Sequence, residues 1–150
     1  MLGFQRAARS ETAKRLSESI LFGGLTTGEL KTVENLIHLR HYLAGEIVFD
    51  EGEEGQALYV VVSGEVLICH SGQFEQPLAR LGPGNFFGEL ALLDDAPRTA
   101  QARAATECEL AVLSRSDFER LMDSHARIAS RIALQLARNL GQRLRAMVQA

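Results

Sequence analysis

The 150-residue sequence predicts an α+β fold that is mainly β, with a β-sandwich or barrel between terminal helices. Short β-rich segments separated by glycine turns fill residues 38–114. Helical periodicity is found in the flanking residues 1–37 and 115–150. The length is that of one domain, so we expect a single domain over residues 1–150.

The N-terminal part is predicted to contain two helices, over residues 10–21 and 27–37. Thr26 or Thr27 is expected to cap the second helix, because a threonine hydroxyl can accept a bond from a free backbone N–H. Apolar residues of the second helix recur on one face, at Leu30, Val33, Leu36 and Ile37.

Seven segments in the middle of the chain are predicted to be strands, most of them followed by a turn that contains glycine. They cover residues 38–43, 46–49, 56–62, 65–70, 76–81, 99–105 and 108–113. Strands this short and this evenly spaced predict two packed sheets or a barrel.

Two helices are predicted after the strands. Ser114 or Ser116 begins the first, which ends near Asp123, and the second covers residues 126–147. Apolar residues recur at every fourth position of the second helix, at Ile128, Ile132, Leu136, Leu140 and Leu144. Such a stripe predicts a face that packs against the core or pairs with a second chain.

Composition argues against several classes of protein. No apolar run is long enough to cross a bilayer, and the N-terminus lacks the apolar core of a signal peptide, so we expect a cytoplasmic protein. Cys69 and Cys108 are predicted to be reduced, partly buried strand residues. His38 and His41 lack further ligands nearby, so the sequence predicts no metal site.

Charge is unevenly distributed along the chain, although the net charge is only −3. Residues 46–109 contain twelve acids and three arginines, whereas five arginines and no acid follow Asp123. The basic helix is either a solvated face or a contact for nucleic acid or membrane. An anion that binds in the acidic middle needs strong local stabilisation.

The most informative segment is residues 87–100, which we call the cassette. Gly88 begins a short predicted helix whose free N–H groups can bind an anion, and Glu89 lies in its first turn. Arg98 follows Pro97, and a guanidinium can bind a phosphate through two points. A carboxylate can accept from sugar hydroxyls, so these groups predict a ligand with one phosphate and a ribose.

The cassette resembles the phosphate-binding cassette of the cyclic nucleotide-binding domain family at Gly88, Glu89, Leu90, Ala91, Leu92, Pro97, Arg98 and Ala100. The glycine turns between Gly45 and Glu65 resemble those of the family's β-roll, and the last two helices lie where the family has its hinge and lid helices. Residues 135–140 look like the lid helix of the family's bacterial transcription activators, but no helix-turn-helix follows them. The resemblance implies an antiparallel eight-stranded β-roll.

The resemblance also implies roles for the cassette residues. Arg98 would pair with the cyclic phosphate; the alternative is a surface arginine bonded to Glu89, Asp94 or Asp95. Glu89 would accept from the ribose 2′-OH, whereas its role without a ligand would be to oppose the helix dipole. Gly88, Leu90 and Ala91 would contribute backbone N–H groups.

Two further residues complete the expected site. In the family, the residue that follows the arginine lies close to the phosphate and the purine, and here that residue is Thr99. Its hydroxyl could accept from the guanine 2-amino group; the alternative is that Thr99 is simply a β-branched strand residue. Arg143 lies where the family's lid residue meets the base and would stack on it; it is otherwise a solvated helix arginine. Apolar residues that line the pocket or fill the roll are Val60, Val62, Val66, Leu81 and Phe87.

These observations predict a sensor that binds cAMP, with cGMP permitted, and is not an enzyme. Movement of the lid helix would regulate an effector domain or protein. One alternative is a nucleotide-independent dimerisation or scaffolding domain that pairs through the last helix. Another is a cupin-like enzyme, which would need inward-facing His and Glu metal ligands.

Overall fold

The computed structural model describes residues 11–149. Its helices are residues 11–17 (α1), Thr27–Glu34 (α2), Arg115–Ser124 (α3) and Ala126–Gln149 (α4). Its strands are His38–Tyr42 (β1), Ile47–Phe49 (β2), Ala57–Ser63 (β3), Val66–Cys69 (β4), Ala79–Leu81 (β5), Phe86–Phe87 (β6), Gln101–Ala104 (β7) and Cys108–Ser114 (β8). A 3₁₀ turn, Glu89–Leu92, lies between β6 and β7.

The eight strands form two four-stranded antiparallel sheets, in the orders β1-β8-β3-β6 and β2-β7-β4-β5. This arrangement confirms the predicted eight-stranded β-roll with terminal helices. The description as mainly β is slightly off, because the helices hold more of the described residues than the strands do.

Strand boundaries differ from the prediction around the cassette. Strand β6, where Phe86 pairs with Val60 and Phe87 pairs with Tyr59, was not predicted from the sequence, because two residues show no alternation. β7 begins at Gln101 rather than at Thr99. The chain ahead of β7 is held elsewhere: the Arg98 N–H donates to the Glu53 carbonyl at 2.8 Å.

The helices at the N-terminal end are shorter than predicted. Helix α1 ends at residue 17, where the Ser19 hydroxyl donates to the Leu16 carbonyl and accepts from the Phe22 N–H. Helix α2 ends at Glu34. Its predicted cap is confirmed at Thr26, which forms a reciprocal capping box with Glu29.

Two apolar clusters fill the interior. One lies between the roll and the helices and includes Leu58, Val60, Phe86, Leu113, Phe118, Leu121, Ile128, Ile132 and Leu136. The other lies inside the roll and includes Phe49, Tyr59, Val61, Val66, Phe87 and Leu110. Helices α3 and α4 are therefore packed on the outside of the sheet that contains β6.

The apolar stripe of α4 divides between core and solvent. Ile128, Ile132 and Leu136 are buried against the chain's own core, so they are unavailable to a second chain. Leu144 is 63% exposed. Pairing of two chains through α4 remains a prediction, and it would have to use the exposed end of the helix.

The two cysteines are free and fully buried, on β4 and β8, rather than partly buried. Burial raises the pKa of both thiols, Cys69 and Cys108, which disfavours the reactive thiolate. Within residues 11–149, no helix combines the length and apolar character needed to cross a membrane. A cytoplasmic location stays a prediction.

Candidate functional site

A cavity of about 500 Å³ lies between the sheet of β2, β4 and β5, the 3₁₀ turn and the end of α4. All seven residues predicted to bind ligand line it: Gly88, Glu89, Leu90, Ala91, Arg98, Thr99 and Arg143. Leu81 and Phe87 also line the cavity, whereas Val60, Val62 and Val66 belong to the apolar clusters.

The predicted short helix of the cassette is a single 3₁₀ turn of four residues. Gly88 precedes it in a left-handed conformation with φ of 74°, which glycine adopts without strain. The first bond of the turn runs from the Ala91 N–H to the Gly88 carbonyl. The N–H groups of Glu89 and Leu90 lie ahead of that bond and have no partner within the turn. The prediction that Ala91 offers its N–H to a ligand is therefore wrong for this structure, because the Gly88 carbonyl accepts from it.

Arg98 lies half-buried in a slot at the base of the cavity. Its Nη1 donates to the Gly88 carbonyl at 3.0 Å, and its Nη2 donates to the Ala57 carbonyl at 2.8 Å. Its Cζ lies 4.0 Å from the centroid of the Phe49 ring, a cation–π contact. Backbone carbonyls and an aromatic face therefore hold the guanidinium in place.

The acids that could have neutralised Arg98 are engaged elsewhere. Glu89 pairs with Arg143, and Asp95 pairs with Arg115. Asp94 accepts from the N–H of Ala96. The alternative interpretation of Arg98, a surface arginine bonded to one of these acids, therefore does not describe this fold.

The Arg98 guanidinium has no carboxylate partner within residues 11–149, and its Nε is buried without a hydrogen bond there. Burial lowers the pKa of Arg98, because removal from water disfavours the charged form. Gly55 packs directly on the guanidinium: a Cβ added at residue 55 would lie 2.3 Å from Nε. A half-buried positive charge that has no carboxylate partner in the described residues, at the wall of a cavity, favours the binding of an anion.

The loop between β2 and β3 fixes the backbone of Arg98. The Arg98 N–H donates to the Glu53 carbonyl and its carbonyl accepts from the Gly52 N–H, each at 2.8 Å. Asp50, at the start of this loop, accepts from the side-chain amide of Gln101 in β7 at 3.0 Å. These bonds connect the chain on both sides of Arg98 to the same loop.

Glu89 and Arg143 form an ion pair across the mouth of the cavity. Glu89 is buried, with its side chain 6% exposed, and its carboxylate accepts from Arg143 Nη1 at 2.5 Å. The Arg143 side chain is half exposed. Arg143 is therefore a partner of the cassette rather than a purely solvated arginine, and the end of α4 lies close to the 3₁₀ turn.

Thr99 lines the cavity from its exposed rim. It precedes β7 and is not a strand residue, so the plain strand interpretation of Thr99 is wrong.

Several residues that line the cavity were not predicted from the sequence. Phe49 underlies the guanidinium, and Ile68, Leu78 and Ala79 form an apolar wall. Each lies at least eight residues from the cassette in the sequence, and strand pairing brings these segments together. Gly55 carried a usable signal, because it belongs to the glycine series that resembles the family.

No group of three or more His, Cys, Asp or Glu residues that could hold a metal ion is present in the described part of the chain. His41 pairs with Glu107 and His70 pairs with Glu51, both at the surface. The described residues therefore provide no ligand set for the cupin-like alternative.

Comparison with known proteins identifies the fold's family. The sequence model of one protein family, the cyclic nucleotide-binding domain, matches residues 39–125, which are more than half of the chain. The chain belongs to the cyclic nucleotide-binding domain family. The match contains the whole cassette and ends at the joint between α3 and α4, so Arg143 lies outside it.

Two similar proteins are named as a cAMP receptor and as a kinase regulatory subunit. The cyclic AMP receptor protein of Thermus thermophilus is 41% identical over 124 residues, which are 81% of this chain and 57% of that protein. A cAMP-dependent protein kinase regulatory subunit of Emericella nidulans is 39% identical over 119 residues, which are 79% of this chain and 28% of that protein. The chain thus spans about half or less of each.

A solved family structure, the regulatory domain of Toxoplasma gondii PKA in co-crystals with cAMP, superimposes with a TM-score of 0.66 and 33% identity. The alignment covers 76% of this chain and 44% of that one. The likeness therefore extends to a family member whose crystal contains the nucleotide.

Proposed function

We propose that this chain is a cyclic-nucleotide sensor that binds a 3′,5′-cyclic purine nucleotide in the cavity beside the cassette. The observation that carries the proposal is the half-buried Arg98 guanidinium, which has no carboxylate partner within residues 11–149. A cyclic phosphodiester carries one negative charge and so matches this one cation. Family membership and relatives named for cAMP support the same ligand.

Arg98 would bind the phosphate together with the N–H groups of Glu89 and Leu90. A guanidinium held by two carbonyls and an aromatic ring is preorganised, so little side-chain entropy is lost on binding. The glycines at positions 55 and 88 leave room for the Arg98 guanidinium, because a side chain at either position would collide with it.

Glu89 would accept a hydrogen bond from the ribose 2′-OH. Its burial favours this role, because a buried carboxylate is costly unless its acceptor sites are used. The apolar wall of Ile68, Leu78 and Ala79 fits the uncharged body of a purine. Thr99 at the rim permits cGMP, and we propose cAMP as the preferred ligand.

Binding would act through α4. Arg143 connects this helix to the cassette through its ion pair with Glu89. A nucleotide that binds Glu89 would therefore alter this ion pair. The helix would then close over the base and shift the C-terminal end of the domain. We infer that residues 1–150 form one regulatory domain without catalytic activity, and that it acts on an effector domain or protein.

A dimerisation or scaffolding domain that binds no nucleotide is the second candidate. The exposed apolar residues at the end of α4 favour it: Leu144, Met147 and Val148. Under this alternative Arg98 and Glu89 would be structural.

Calorimetric titration of the purified chain with cAMP and with cGMP tests the proposal. We expect one site per chain with a Kd in the micromolar range or tighter, which is about −8 kcal/mol. Absence of binding to both nucleotides, with a dimer in sedimentation, would establish the scaffolding alternative instead.

A further inference from the structure

Arg115, the first residue of α3, connects this helix to the cassette through three donors. Its Nε donates to the Ala91 carbonyl at 2.7 Å, and its Nη2 donates to the Asp94 carbonyl. Its Nη1 pairs with the Asp95 carboxylate. The Arg115 side chain is only 20% exposed, so most of it is buried against the cassette.

One acceptor of Arg115, the Ala91 carbonyl, belongs to the end of the 3₁₀ turn, where backbone carbonyls lack partners within the turn. The other two, on Asp94 and Asp95, belong to the loop that follows the turn. The Leu90 carbonyl accepts from the N–H groups that follow it, and the Ala91 carbonyl is bound by Arg115. A planar guanidinium can reach three acceptors at once, which a lysine ammonium cannot do with the same geometry. Arg115 therefore fixes one end of the turn whose other end offers N–H groups to the phosphate.

Arg115 is also fixed through its backbone. Its N–H donates to the Gln56 carbonyl at 2.8 Å, next to Ala57, whose carbonyl holds the Arg98 guanidinium. Helix α3 ends at Ser124, and His125 alone separates it from α4. Arg115 thus lies between the elements of the phosphate site and the two C-terminal helices.

We propose that Arg115 is a positioning residue that couples occupancy of the nucleotide cavity to helices α3 and α4. It joins the cassette to the first turn of α3, so any shift or ordering of the cassette is passed along α3 to the joint at His125. This inference rests on the proposed function and adds a specific path for its signal.

The test uses the full chain and compares wild type, Arg115→Ala and Arg115→Lys. Arg120→Ala is the matched control, because the Arg120 side chain lies on the same helix, is 75% exposed and, among residues 11–149, pairs only with Asp117 one turn away. Calorimetry measures the Kd for cAMP. Hydrogen exchange of residues 126–139 is then measured without cAMP and at a cAMP concentration that saturates each variant.

We expect Arg115→Ala to raise the Kd for cAMP about 5- to 20-fold, which corresponds to the loss of one or two charged hydrogen bonds. The Kd of Arg115→Lys should lie between those of wild type and Arg115→Ala. At saturation, both variants should lose at least half of the protection that cAMP gives residues 126–139 in wild type. Arg120→Ala should match wild type in both measurements.

Wild-type protection at saturation in Arg115→Ala would overturn the inference, whatever its Kd. If Arg115→Ala fails to fold, Arg115→Lys is judged by the same criterion, since it keeps the charge and the alkyl stem. Unfolding of both variants would assign Arg115 a purely structural role and also overturn it. A wild-type chain that binds neither cAMP nor cGMP would instead refute the proposed function, so the two failures are distinguishable.

Discussion

Gly55 and Arg98 are in direct contact, and a Cβ at residue 55 would lie 2.3 Å from Arg98 Nε and 2.4 Å from Cζ. These two residues are far apart in sequence and belong to different segments of the roll. The guanidinium at the wall of the cavity therefore depends on the absence of a side chain in the loop between β2 and β3.

Gly55→Ala should displace Arg98 and weaken cAMP binding at least tenfold, because an added methyl group cannot share the space of Nε. The free energy of unfolding should fall by no more than about 2 kcal/mol, the value of the two hydrogen bonds from Arg98 to carbonyls. Calorimetry and chemical denaturation check these values. Gly82→Ala is the control, since a Cβ at residue 82 meets nothing within 4 Å. Equal Kd values for Gly55→Ala and Gly82→Ala would show that the contact with Gly55 is not needed to place the guanidinium.

Arg98→Ala should weaken cAMP binding by about 2–4 kcal/mol, because the phosphate would be desolvated without its charged partner. Arg98→Lys should recover only part of this loss, since an ammonium lacks the planar fork. The melting temperature without nucleotide should hardly change, because the loss of the two hydrogen bonds to carbonyls is offset by the removal of a half-buried charge that has no carboxylate partner within residues 11–149. Arg80→Ala, a surface arginine paired with Glu65, serves as the control. Unfolding of Arg98→Ala would make the residue structural.

The sequence predicted much of this site because the cassette is local. Gly88, Glu89 and Arg98 belong to one short segment, residues 87–100, and their spacing predicts a phosphate site. Phe49 and Gly55 reach Arg98 only through the pairing of distant segments, which periodicity does not encode. The same limit explains why β6 was not predicted, since its two residues form a strand only by pairing with β3.

The C-terminal stripe shows a different limit of sequence patterns. Its periodicity correctly predicted a helix, but periodicity cannot say which partner covers an apolar face. Ile128 and Ile132 are covered by the chain's own sheet and helices, whereas Leu144 projects into solvent. The sequence of α4 likewise contains no acid, yet Arg127 and Arg143 pair with Glu29 and Glu89 on other elements.

Thr99→Ala should weaken cGMP binding more than cAMP binding, by about 0.5–1.5 kcal/mol, the value of one hydrogen bond. The reason is that the Thr99 hydroxyl lies at the cavity rim, where a guanine 2-amino group could donate to it. Parallel titrations of wild type and variant with both nucleotides measure the difference. Thr99→Ser, which keeps the hydroxyl, should behave like wild type. A uniform loss for both nucleotides would assign the hydroxyl to the phosphate.

Deletion of residues 140–150 should raise the Kd for cAMP while the roll stays folded. The deletion removes Arg143, the partner of Glu89, but leaves Ile128, Ile132 and Leu136 in the core. In the full chain, cAMP should protect residues 126–147 from hydrogen exchange, while residues 56–70 change little. A truncated chain that binds cAMP as tightly as the full chain would show that α4 is not a lid.

The most direct test of the account compares the affinities of the full chain for cAMP and for 5′-AMP by calorimetry. One half-buried cation and one short turn are suited to a compact phosphodiester with a single charge. The extended dianionic phosphate of 5′-AMP should therefore bind far more weakly. We predict a Kd for cAMP in the micromolar range or tighter, about −8 kcal/mol, and a Kd for 5′-AMP that is at least about a hundredfold higher. Equal affinity for the linear and cyclic nucleotides would contradict the assignment of the cassette as a cyclic-phosphate site.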